Sequence, residues 1–209
     1  PSAVTVANED LFDYARGRQS GGNVIRITAT DLQGMATGAP TDPTVTFDGL
    51  AATTYDYTNM PVSFTCVNPD RSATGAGDVD VAVTNPDAQI GIGTGVFHYN
   101  EMPEITGIAF DDGAPAPVIA GNAGGRRIEI TGNYFFEDAT HPPTLAVNGV
   151  AATNVTWVDA NTVEFDAPAQ DLSGASTLPV YYDVMITNPD TQADTWGPST
   201  SDTGLGYDY

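Results

Sequence analysis

Short runs of alternating apolar and polar residues dominate this chain. Val45-Thr-Phe47, Val62-Ser-Phe64-Thr-Cys66 and Val79-Asp-Val81-Ala-Val83 put an apolar side chain at every second position. That is the period of a strand with one face on a core and the other in water. The same shapes recur at Ile128-Glu-Ile130, Leu145-Ala-Val147, Val163-Glu-Phe165 and Tyr182-Asp-Val184-Met-Ile186. No long segment keeps a helical apolar period, and 22 Gly and 15 Pro supply the turns between the runs. An all-β fold is expected.

The recurrence is an internal repeat. Gly21-Gly22 and Ile27-Thr28 match Gly124-Gly125 and Ile130-Thr131, 103 positions on. Phe47-Asp-Gly49-Leu-Ala51-Ala-Thr53 matches Val147-Asn-Gly149-Val-Ala151-Ala-Thr153 at a shift of 100, which puts three extra residues of the first copy within 31–43. The shift returns to 103 at Thr84-Asn-Pro-Asp87 against Thr187-Asn-Pro-Asp190. A period of this length is a whole sandwich rather than a solenoid unit. Two tandem immunoglobulin-like β-sandwiches are expected, one over 1–100 and one over 101–209, joined near Asn100-Glu-Met-Pro103.

Particular motifs carry a family resemblance. A double glycine precedes a strand ending Ile130-Thr-Gly-Asn-Tyr-Phe135, and Val147-Asn-Gly149, Phe165…Pro168 and Asp183-Val…Asn188-Pro-Asp190 follow. In these features the second copy resembles the IPT/TIG domain nearly end to end. The first copy departs from the pattern at Ala29, where the second has Gly132, and at Asp31-Leu32, where it has Tyr134-Phe135. The resemblance implies an immunoglobulin-like sandwich found as a spacer or passenger in receptors, surface proteins, polysaccharide enzymes and phage structural proteins, and it implies no catalytic residues. Rel-type relatives bind DNA, a use that the charge of this chain opposes.

Six arginines, no lysine and 27 acidic residues give a net charge of −21. Such a field repels polyanions and anionic membranes, so neither nucleic acid nor membrane insertion is expected. No apolar stretch approaches the roughly 18 residues of a spanning helix. The acidity fits a saline or marine habitat, where about 1 M salt confines self-repulsion to about 3 Å.

Candidate chemistry is sparse. His98 and His141 have no second ligand at metal-binding spacing and read as ordinary surface histidines. Cys66 is in phase with Val62 and Phe64, so it reads as a small buried side chain, with Ala167 as its counterpart. Asp111-Asp112, Glu137-Asp138 and the two Asn-Pro-Asp segments offer hard oxygens of the kind Ca²⁺ takes, but no EF-hand loop is present and turn chemistry explains most of them. The expectation is no catalytic residue, no metal site and no cofactor, with Ca²⁺ the one ion left open.

Two candidate surfaces remain. Tyr57 and Trp157, equivalent at the 100-residue shift, and the adjacent Tyr55 offer a glycan platform, against core or rim packing as the plainer role. Arg16 and Arg18, beside Leu11, Phe12 and Tyr14, lie in a stretch from Val6 to Ser20 that lacks alternation. This loop is the expected partner contact, together with the C-terminal aromatics Trp196, Tyr207 and Tyr209. Five of the six arginines flank the two double glycines, where neutralising local acidity is the simpler account. Pro1-Ser2-Ala3-Val4 shows no leader and fits removal of a start Met before Pro. The sequence reading is therefore a non-enzymatic virion component, such as a capsid decoration, fibre or tail protein, present in many copies or as a homo-oligomer. A secreted or cell-surface module binding polysaccharide is the alternative.

Overall fold

In a computed structural model, which describes residues 1–10, 15–34, 42–111, 118–138, 141–200 and 202–208, the chain forms two compact β units, Pro1–Glu101 and Met102–Tyr209. Each unit has its own apolar core, one running from Val4 to Tyr99 and the other from Ile105 to Tyr207.

The first unit packs two sheets. One has the order β1 (Ser2–Asn8), β3 (Val24–Thr30), β7 (Ser63–Val67), β6 (Thr53–Asp56). The other runs β2 (Arg16–Arg18), β9 (Ile90–Asn100), β8 (Gly77–Thr84), β4 (Thr44–Phe47), β5 (Leu50–Ala51). All neighbours are antiparallel except β2 and β9. The inward residues are those the alternation marks: Ile25 and Ile27, Val45 and Phe47, Phe64 and Cys66, and Val79, Val81 and Val83 are all buried. Val62 departs from its run and is 71% exposed. The chain is still turning there, with the amides of Val62 and Ser63 both donating to Asn59 O, so the strand starts one residue later.

Two glycines let the chain cross itself. A Cβ on Gly91 would collide with the Pro1 backbone, and one on Gly93 with Val4 O, so β1 lies against β9 closely enough to exclude any side chain at either position.

The second unit repeats this plan. Its first sheet is β10 (Glu104–Phe110), β12 (Arg127–Asn133), β16 (Thr162–Asp166), β15 (Thr153–Asp159). Its second is broken into two pieces, β14 (Val150–Ala151), β13 (Thr144–Val147), β18 (Val184–Thr187), β19 (Ala193–Trp196) and β11 (Ile119–Gly121), β20 (Leu205–Asp208), β17 (Val180–Tyr182). Thus β17 and β18 together replace β8, and β19 and β20 replace β9. The short parallel pair recurs as β11 with β20.

Backbone conformation marks the equivalence. Gly21 and Gly22 have φ of 70° and 86°, and Gly124 and Gly125 have 72° and 83°. The hairpin turns Asp48-Gly49 and Asn148-Gly149 also match, with all four residues at positive φ, as a two-residue turn between right-twisted strands requires.

Two sequence expectations are corrected here. Ile25 pairs with Cys66 and its equivalent Ile128 pairs with Phe165, so the counterpart of Cys66 is Phe165, while Ala167 answers to Asn68. The hydrogen bonds agree, since Gly22 N donates to Asn68 O and Gly125 N to Ala167 O. The stretch from Val6 to Ser20 is also not all loop: Val6 to Asn8 belongs to β1, and Arg16 to Arg18 is a strand.

Candidate interaction surface

Leu11, Phe12 and Tyr14 lie outside the described residues. Their neighbours Arg16 and Arg18 stand on β2, opposite His98 and Asn100, with Gly17 between them facing inward. A side chain at Gly17 would strike Asn23 Oδ1 and the Phe97 ring, which is why two arginines flank a glycine here. Three buried asparagines tie β2 in place. Asn8 Nδ2 donates to Arg16 O at 2.6 Å, Arg18 N donates to Asn23 Oδ1 at 2.9 Å, and Asn23 N donates to Asn68 Oδ1 at 2.7 Å. The main chain of Arg16 and Arg18 is thus held by amide side chains that no alternation pattern would single out.

Most arginine heads have identified work. Arg18 Nε donates to Gly21 O at 2.6 Å, bracing the glycine turn. Arg26 meets Glu9 at 3.2 Å, and Arg71 pairs with Asp48 at 2.8 Å while lying over the Tyr99 ring. Arg126 sits 3.4 Å above the Phe110 ring centroid, and Arg127 bridges Glu164 at 3.0 Å and Asp166 at 3.3 Å. These contacts neutralise local carboxylates and cover aromatic faces.

The aromatic candidates are half-buried. Tyr57 stacks on Tyr55 at 5.5 Å, packs on Phe64 and donates its hydroxyl to Pro43 O at 2.7 Å. Burial raises its phenol pKa well above the ordinary tyrosine range. Trp157 packs on the second core and its indole N–H donates to Phe135 O at 3.2 Å. Both rings therefore have their polar atoms committed to backbone and are half-buried. Of the C-terminal aromatics, Tyr207 is fully buried in the core, a correction to its expected role as a partner contact; Trp196 is half-buried against that core, and Tyr209 lies outside the described residues.

Cys66 is buried, and desolvation pushes its thiol up to about 12. His98 Nδ1 lies 2.7 Å from Asp78 Oδ1 on an exposed sheet face. Among the described residues no three His, Cys, Asp or Glu side chains converge as metal ligands would, and Asp112 is not among them. The acidic turn residues have local uses: Asp87 Oδ1 accepts from Gln89 N at 3.0 Å, and Asp190 accepts from both the backbone and the side chain of Gln192.

The turn asparagines do more than turn. Asn188 Nδ2 donates to Tyr134 O at 2.8 Å and Asn85 Nδ2 to Asp31 O at 2.8 Å, each gripping the residue of positive φ that ends the second strand of its unit's first sheet. This clamp explains why Asn-Pro-Asp recurs in both copies.

Residues 118–193 match the family model described as IPT/TIG domain, so the second unit carries an IPT/TIG domain; the first shares its strand plan. No protein of curated function matches the chain. Among solved structures, one of the plexin A4 full extracellular region is similar at 22% identity and a TM-score of 0.45, over 87% of this chain and 14% of that one. Another is the Bacteroides ovatus mixed-linkage glucan utilization locus SGBP-B in complex with a mixed-linkage heptasaccharide, at 12% identity and a TM-score of 0.34, over 92% and 41%. The chain thus spans about one seventh of the plexin region and two fifths of SGBP-B. Its class is that of an all-β, immunoglobulin-like fold. No helix among the described residues is long and apolar enough to cross a membrane.

Proposed function

We propose that the chain is a non-enzymatic assembly and display element, present in many copies in a larger protein assembly, and in its most specific form a virion component of a virus from a saline habitat. The observation that carries the non-enzymatic part is the use made of the reactive and aromatic side chains. Cys66, Tyr57 and Trp157 all serve packing or backbone hydrogen bonds, which leaves loops and sheet faces to make contacts. A net charge of −21 without lysine supports the saline setting. The segment holding Leu11, Phe12 and Tyr14, leading into Arg16 and Arg18, is the contact we assign to the carrier.

The test is composition. Capsid, portal or tail genes beside this one, and the chain in purified particles by mass spectrometry, support the reading. Replacing Phe12 and Tyr14 by alanine then removes the chain from particles while circular dichroism stays unchanged. Binding to a polysaccharide array that disappears in a folded Trp157→Ala variant transfers the assignment to surface adhesion.

A further inference from the structure

In a chain this acidic, the sheet containing β4, β8 and β9 has an outer face on which the register collects uncharged residues. One row across the first unit reads Ala51, Thr46, Ala82, Ile92, and the next reads Thr44, Thr84, Ile90. The second unit repeats both rows at the equivalent positions: Ala151, Ala146, Met185, Thr195, then Thr144, Thr187, Ala193. All are alanine, threonine, isoleucine or methionine. None is buried, and Ile90, Ile92 and Met185 are 60%, 60% and 41% exposed. Charge resumes at the edge of the patch, with Asp78, Asp80 and His98 further along β8 and β9. The other sheet of the second unit presents Arg127, Glu129, Glu164 and Asp166 on two adjacent strands.

We propose that this face is a self-association surface and that its occupant is the same face of a second copy of the chain. Charge selects that occupant. A basic partner gains nothing from a patch without carboxylates and would be drawn to the acidic turns instead. Two copies at −21 each repel wherever carboxylates meet, so the face that brings none into opposition is where they can approach. The branched and thioether side chains at Ile90, Ile92 and Met185 supply apolar area to bury. With seven residues in each unit, a patch falls well short of the roughly 20–30 residues a side of a stable interface. Each patch therefore gives a weak contact, which is why the test extends to millimolar chain. The proposal deepens the multicopy reading, but it is tested on the purified chain, so absence from particles and absence of self-association are separate results.

The test is sedimentation velocity from micromolar to millimolar chain, in dilute buffer and in about 1 M NaCl. The wild type is expected to associate, and more strongly in salt, because the contact is apolar and only the surrounding repulsion is screened. The double variant Ile92→Asp with Met185→Asp should lose about tenfold or more of the association constant, equivalent to about 1.4 kcal/mol. Both positions are exposed, so the core is untouched; Thr84→Asp in the adjacent row provides a second, independent reading of the same loss. Val62→Asp, which charges a more exposed apolar residue away from the face, should behave as wild type. The proposal is overturned by a wild type that stays monomeric at millimolar concentration in high salt, by face variants that associate undiminished, or by equal loss in Val62→Asp.

Discussion

Cys66 is the clearest case of a side chain whose role follows from phase alone. It alternates with Phe64, faces Ile25 across the sheet and is buried. Its neutral form is favoured because burial removes water from the thiolate, raising the folded pKa from 9.0 to about 12. A group raised in the folded state contributes stability in full below its unfolded pKa, and that contribution is lost as pH climbs from about 9 towards about 12. The half-buried tyrosines Tyr55 and Tyr57 shift the same way, so the alkaline limb steepens. Native protein at pH 8 should therefore resist a thiol-specific chromogenic reagent and react stoichiometrically once unfolded in guanidinium. Denaturation midpoints should fall between pH 9 and 11 in wild type and fall less in Cys66→Ala. Rapid native labelling at pH 8 would contradict the burial argument.

At the scale of elements, the two copies solve one packing problem in two ways. A Cβ on Gly132 would overlap Glu104 O and the ring of Phe135, so the close approach of β10 to β12 at this irregular point of their pairing and the large ring beside it depend on glycine. The first copy has Ala29 and Leu32 at those positions, both buried. A smaller aliphatic leaves room for the alanine methyl. Gly132→Ala should thus destabilise by about 2–3 kcal/mol through overpacking. Adding Phe135→Leu should recover part of that loss, so the pair is non-additive in a double-mutant cycle by about 1 kcal/mol. Urea midpoints of the two single variants and the double variant decide it, and strict additivity would mean that the ring does not contribute to the strain.

This exchange was visible in the sequence as a departure of the first copy from the family pattern, but its compensating nature was not. The departure comes in two parts three residues apart, and nothing in a linear pattern says that they touch. The same limit explains the other misreadings. The strand pair β7 and β16 sits at a shift of 99, which Pro69 against Pro168 would have revealed, whereas setting Cys66 against Ala167 takes a shift of 101 that neither flanking motif, at 100 and 103, supports. β2 and β11 are three residues long and too short to display a period, so the parallel edge that carries Arg16 and Arg18 read as loop. Tyr207 occupies the place of Tyr99 at a shift of 108, because five more residues separate β19 from β20 than the first copy uses, and that insertion made a core tyrosine look like a tail residue. Alternating strands and glycine turns were legible since each states its own backbone conformation; the uncharged face was not, because it exists only once register is known.

For the whole molecule, charge is the term that composition fixes and the fold distributes. The first unit carries 12 acidic residues and 4 arginines, and the second 15 and 2, so the net charges of −8 and −13 sum to −21. Each unit closes its own core, from Val4 to Tyr99 and from Ile105 to Tyr207, so each should fold when separated near Glu101 and Met102. Repulsion inside a unit grows with its net charge and is screened within about 10 Å at roughly 0.1 M salt and about 3 Å at roughly 1 M. The fragment 102–209 should consequently gain more in melting temperature between dilute buffer and molar NaCl than the fragment 1–101, with the apolar cores supplying an equal background. Sodium sulfate cannot stand in for NaCl here, because it strengthens apolar burial as well as screening charge. Melts followed by circular dichroism at matched ionic strengths separate the possibilities. Two folded fragments with the larger salt gain in the second agree with a charge-limited pair of independent sandwiches. An unfolded 102–209 fragment refutes their independence, and equal gains, or none, refute the account of the acidity as an adaptation to salt.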